Sequence, residues 1–156
     1  SCHCLLAFLV NHVATKGVER TKELGERMAK LKTMSSQKDD LNSETYKDIS
    51  KMKMTYDPKL KSVADIDGQT GVGRVGDGFF KLDPYSYSAE MTGPQIKQYM
   101  AMSTEDRQIF VLRHEAEHMS LENMRLQERY AYTSNIERRI REDEQQATSR
   151  ALEWMK

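Results

Sequence analysis

The sequence predicts a mainly all-α chain, with long amphipathic, coiled-coil-like helical arms on either side of a short irregular, glycine-rich centre that could hold a β-hairpin. Three observations predict it. Residues 5–34 contain no proline and place apolar or small side chains at 4-3 spacing. Residues 104–156 contain neither proline nor glycine, and five of the eight glycines (Gly68, Gly71, Gly73, Gly76 and Gly78) fall between positions 68 and 78. The chain accordingly divides into an N-terminal helical arm over 1–56, an irregular or hairpin region over 57–92 and a C-terminal arm over 93–156.

Bulk composition agrees. Hydrophobic residues make up 38% and charged residues 31%, which suits helices that bury a stripe and solvate the rest. Lys and Arg total 24, as do Asp and Glu, so the basic surplus of a nucleic-acid binder is absent. A balanced charge also leaves no self-repulsion to oppose association.

The elements follow in order. Cys2 and Cys4 are too close in sequence to close a structural loop, and a Cys-His-Cys metal clip with His3 would need His12 as its fourth ligand. Free thiols are expected, in a reducing compartment or on an assembled surface structure. The apolar run over 4–10, with Leu5, Leu6, Phe8, Leu9 and Val10, is too short to cross a bilayer and lacks the basic flank of a secretory signal. It reads as an interface patch, with docking on a membrane surface as the lesser alternative.

Val10, Ala14, Gly17, Thr21, Leu24, Met28, Leu31 and Ser35 share one heptad seam, and Glu19, Arg20, Lys22, Glu23, Glu26, Arg27 and Lys30 form the outer face. Ser35 and Ser36 interrupt the seam. Ser36 with Asp39 three residues later suits an N-cap for a second helical stretch over 37–54, with continuation of the first helix as the alternative, ended by Tyr56-Asp57-Pro58. Residues 72–82 read as a short hairpin, and Asp83-Pro84 prolongs the irregular region. Thr92-Gly93-Pro94 opens a helix to about residue 102, and Ser103 with Asp106 caps the next. Beyond it Thr133-Ser134-Asn135 is the one weak point. Ile109, Leu112, Ala116, Met119, Leu126, Tyr130, Ile140, Ala147, Ala151 and Trp154 follow a 3-4 seam that Asn123, Glu137 and Glu144 interrupt.

Among motifs, Gly71-Val72-Gly73-Arg74-Val75-Gly76 has GxGxxG spacing, but no helix start follows to receive a pyrophosphate. Asp65-Ile66-Asp67-Gly68 opens like a calcium loop without the closing glutamate. His114-Glu115-Ala116-Glu117-His118 is sharper. Histidines four apart share a helix face and can ligate one zinc ion, with the glutamate acting on its bound water. The segment resembles the HExxH element of zinc metallopeptidases, and the spacing to Glu137 resembles the gluzincin arrangement, in which a glutamate of a second helix is the third ligand. The resemblance implies His114, His118 and Glu137 as metal ligands and Glu115 as the catalytic base. Arg113 and Glu117 instead suggest a solvated helix face, while Phe110, Val111 and Leu121 on the histidine side suggest burial.

The preferred expectation is a non-enzymatic structural or interaction protein without a cofactor. It would assemble with itself or another helical protein through Leu5, Leu6, Phe8, Leu9, Val10, Leu24, Met28, Leu31, Leu112, Met119 and Leu126; filament and secretion-apparatus subunits are analogies at the level of architecture. The alternative is a zinc-dependent metallohydrolase built on the HExxH segment.

Overall fold

In chain order the described elements are α1 (Cys2–Lys38), α2 (Glu44–Lys51), β1 (Lys53–Tyr56), β2 (Ala64–Ile66), β3 (Val72–Val75), α3 (Gly93–Met100), α4 (Thr104–Glu117), α5 (Leu121–Tyr130) and α6 (Ile136–Met155), with 3-10 turns at Asp77–Phe80 and Ser88–Glu90. The chain is mainly helical with a small sheet. This computed structural model describes the backbone of residues 2–83, 85–131 and 135–156, without the side chains of Cys2, His3, Glu44, Lys47 and Tyr130. The side chains of Cys2 and His3 in the alternative metal clip, Pro84, the Tyr130 seam side chain and Thr133-Ser134 therefore lie outside the described residues.

Helix α1 runs through Ser35 and Ser36. Ser36 Oγ donates back to the Thr33 carbonyl at 2.7 Å, and Ser35 Oγ donates to the Asp39 carboxylate. Serine can satisfy itself in this way inside a helix, so the first helix continues past the two serines, as the alternative reading had it, and ends at Lys38. The cap of α2 is instead Ser43, whose side chain accepts from the Tyr46 amide. The expected helix over 37–54 thus shrinks to eight residues, and its last part becomes β1.

The sheet has the order β1-β3-β2, with β1 parallel and β2 antiparallel to β3. The hairpin predicted over 72–82 does not form, because β3 pairs backwards with two earlier strands and residues after it turn into the core at Phe79, which is fully buried. The glycine spacing has a steric cause. Gly71 has φ of 74°, and a Cβ on Gly73 in the central strand would meet Asp65 O at 2.4 Å and Met54 Sδ at 2.7 Å. Close strand packing, with no phosphate involved, accounts for both.

Serine and asparagine caps divide the C-terminal segment. The side chains of Ser103, Ser120 and Asn135 accept from the amides of Asp106, Asn123 and Arg138. The Ser103 cap and the start of α3 after Thr92 are as the sequence predicts, and the Thr92–Gln95 capping box is additional. The break at Ser120 is additional.

Helix α4 is the centre of the molecule. Ile109, Phe110, Val111 and Leu112 are all fully buried, and from Gln108 to Glu117 no face of this helix is left to water. Helices α1 and α6 pack on α4, with α2 and β2 also against it. Leu24, Met28, Leu31, Leu112 and Met119 belong to this core, and Leu126 is buried under α5 and α6. These six side chains, expected at an interface between chains, are covered by the chain's own helices. Leu5, Leu6, Phe8, Leu9 and Val10 remain exposed on the N-terminal half of α1. Among the described residues no helix is long and apolar enough to cross a membrane.

Candidate metal centre

The final turn of α4 carries His114, and His118 is the residue that caps it. Their fourfold spacing brings the two Nε2 atoms to 3.2 Å from each other. Helix α6 crosses opposite and supplies Glu144, whose Oε2 lies 3.0 Å from His114 Nε2 and whose Oε1 lies 3.3 Å from His118 Nε2. Three potential ligand atoms thus meet at one point.

The opposite nitrogen of each ring is engaged as well. His118 Nδ1 faces Asp143 Oδ1 at 3.2 Å, and the Asn123 side-chain amide donates to that same oxygen. His114 Nδ1 faces Thr148 Oγ1 at 3.0 Å, and Thr148 in turn donates to Glu90 Oε2 at 2.9 Å. Metal-binding histidines ordinarily have such partners, which fix ring orientation and tautomer. The rings of Tyr87 and Phe110 pack on His114 at centroid distances of 5.3 and 6.2 Å.

Electrostatics follow from this crowding. Burial pushes the His118 imidazole down, but its hydrogen bonds to Asp143 and Glu144 outweigh that and raise it to about 10. Burial likewise pushes Glu144 up, yet hydrogen bonds from both histidines hold it well below the usual carboxylate range. Glu115 behaves oppositely: burial raises its carboxyl against the pull of the two imidazoles. No side chain among the described residues hydrogen-bonds it. Burial also lifts the Tyr87 hydroxyl well above its ordinary value.

These groups line a cleft of about 450 Å³ bounded by β2, the 85–90 segment, α4 and α6. Among its described lining residues are Asp65, Glu90, Glu115, Asp143 and Glu144, and no lysine or arginine. Strand β2 forms one wall. Its Val63 carbonyl and Asp67 amide bond toward β3, so by alternation the amides and carbonyls of Ala64 and Ile66 point to the free edge.

The structure brings together His114, Glu115 and His118, but not Glu137. That residue is exposed in the first turn of α6. Seven residues separate it from Glu144, which keeps it on nearly the same helix face but about 10 Å away along the axis. The carboxylate at the site is therefore Glu144, two turns further on. Nor are Arg113 and Glu117 a solvated face, being 3% and 2% exposed. Arg113 pairs with Asp39 at 2.6 Å and Glu117 at 3.1 Å and stacks on Trp154, while Arg150 reaches Glu117 from α6. Glu144, Asp143, Thr148, Glu90 and Tyr87 were not singled out from the sequence as site residues. The available signal was the polar interruption of an apolar seam at Asn123 and Glu144. No protein-family model, curated protein or solved structure matches this chain.

Proposed function

We propose that this chain is a zinc-dependent hydrolase of extended amide substrates, with His114, His118 and Glu144 as ligands and Glu115 as general base. One observation carries the reading. Tetrahedral zinc with bonds of about 2.0–2.1 Å needs ligand atoms about 3.3 Å apart. The two Nε2 atoms, 3.2 Å apart, have that spacing, and Glu144 turns one carboxylate oxygen to each, at 3.0 and 3.3 Å, with one ligand atom from each residue within 4.8 Å of the others. All three residues line the cleft, so a metal held by them would be open to substrate, as a catalytic site requires.

Bound zinc would supply Lewis acidity and bring the pKa of its water near neutrality. Glu115, raised by burial and with no side-chain hydrogen bond among the described residues, is suited to take a proton from that water and pass it to a leaving amine. The free edge of β2 offers backbone donors and acceptors to an extended chain beside the metal, the recognition used in β-strand addition. An acidic lining without lysine or arginine favours a neutral or cationic substrate over a phosphate ester.

Purification without chelators, followed by elemental analysis, tests the metal. One zinc per chain is expected, lost in His118→Ala and Glu144→Gln but kept in Glu137→Gln. Glu115→Gln should keep the zinc and abolish cleavage of a quenched-fluorescent peptide library. Failure of the unmodified chain to take up zinc on addition sinks the proposal.

A second reading, association of two copies through helix packing, is supported by the exposed Leu5, Leu6, Phe8, Leu9 and Val10 alone, each more than half exposed. It concerns another surface and is compatible with the first.

A further inference from the structure

We propose that Thr148 and Glu90 are positioning residues that hold a proton on His114 Nδ1 and so present an unprotonated Nε2 to the metal. The inference rests on the metal reading for its purpose but on hydrogen bonding for its logic. Thr148 Oγ1 sits between two groups, Glu90 Oε2 at 2.9 Å and His114 Nδ1 at 3.0 Å. A hydroxyl has one proton to give. The Thr148 hydroxyl donates to the Glu90 carboxyl oxygen, so its one proton is committed there. The lone pair of Oγ1 then faces His114 Nδ1, and that contact is a hydrogen bond only if Nδ1 carries a hydrogen.

The consequence appears on the other side of the ring. A neutral imidazole protonated at Nδ1 has a bare lone pair at Nε2, 3.0 Å from Glu144 Oε2 and 3.2 Å from His118 Nε2. A cation is required among those atoms. Bound zinc would be that cation. Thr148 lies one turn beyond Glu144 on the same face of α6, so one helix supplies both a ligand and the group that orients another ligand. Thr148 is fully buried and His114 is 1% exposed, which leaves water little access to replace either bond. Tyr87, three residues before Glu90, packs on the His114 ring with centroids 5.3 Å apart.

Three variants distinguish this role from simple packing. Thr148→Val keeps the shape and removes the hydroxyl, and Thr148→Ser restores it. Glu90→Gln allows the amide to donate to Thr148, which turns the threonine proton toward Nδ1 and forces the wrong tautomer. Zinc affinity by chelator competition should fall about 10- to 100-fold in Thr148→Val and Glu90→Gln and be near normal in Thr148→Ser. In the metal-free unmodified chain, two-bond 1H–15N correlation spectra should show His114 Nδ1 protonated. Unchanged affinity in Glu90→Gln, or an unprotonated Nδ1 in the unmodified chain, overturns the inference. The spectra decide it even if the protein binds no zinc, so its failure and that of the metal reading are separable.

Discussion

Glu117, inside the HEAEH segment, accepts a hydrogen bond from Arg150 of α6 across 2.6 Å. With Arg113 on its other side, this carboxylate fastens the rear of α4 to the helix that carries Glu144. A charge at this position looks out of place in a metal-binding helix until its two partners are seen. Arg113 is the deeper partner, with 4% of its side chain exposed against 35% for Arg150. Removing a buried partner leaves uncompensated charge, at a cost of about 3 kcal/mol, whereas a half-exposed one is screened and contributes about 1 kcal/mol. Arg113→Met should therefore destabilise the fold clearly more than Arg150→Met in urea titrations. Equal effects would refute the ranking.

Gly73 should tolerate no side chain. An added Cβ would stand 2.4 Å from a neighbouring carbonyl oxygen, and backbone on the central strand has nowhere to move. Gly73→Ala is expected to cost about 3 kcal/mol of stability, read as a lower urea midpoint. Gly17→Ala, with nothing near its Cβ in the middle of a helix, should be neutral or slightly stabilising.

The reach of the sequence reading follows from which interactions are local. The Ser103 cap was legible because cap and partner are three residues apart, and the start of α3 because a proline follows Thr92-Gly93. The α1 and α4 seams were legible as apolar stripes, but a stripe does not say what covers it. Leu24 and Leu112 face partners in their own chain, which only the tertiary arrangement decides. The HExxH pair was legible for the same local reason as the Ser103 cap. Its carboxylate was not, because Glu137 and Glu144 share a face of α6 and their distinction depends on how far α6 slides along α4. The strand pairing was hidden too, since β1 finds β3 across a long connection and parallel to it.

Acid should loosen the contact between α1 and the turn at Asp77–Phe80. The Tyr56 hydroxyl donates to Asp77 at 2.6 Å, and Lys16 and Arg20 stand beside it. The Tyr56 bond first, then the Lys16 contact, holds this carboxyl below its ordinary 3.8 although partial desolvation opposes them. A folded value below the unfolded one gives a contribution that is complete above the unfolded value and is lost as pH falls through the folded one. Asp77→Asn should flatten the stability profile below about pH 4 and change little at neutral pH, since the group is 40% exposed and its pairs are screened. An NMR titration midpoint for Asp77 at or above 3.8 would contradict this.

The two halves of α1 should respond oppositely to the same insult. Leu24 and Leu31 are 2% and 0% exposed beneath α4, so Leu24→Asp or Leu31→Asp buries an unpaired charge in the core of the single chain. Each is expected to unfold or severely destabilise the protein, seen as loss of cooperative melting by circular dichroism. Leu6 and Phe8 are 62% and 68% exposed, and a charge there meets water. Leu6→Asp with Phe8→Asp should leave the melting transition and the zinc content unaltered. If two copies associate through this end of α1, the same pair of substitutions converts a concentration-dependent sedimentation coefficient into that of a monomer. A monomer before and after removes the association reading without touching the metal site, because the apolar end of α1 and the cleft lined by His114 and Glu144 have no residue in common.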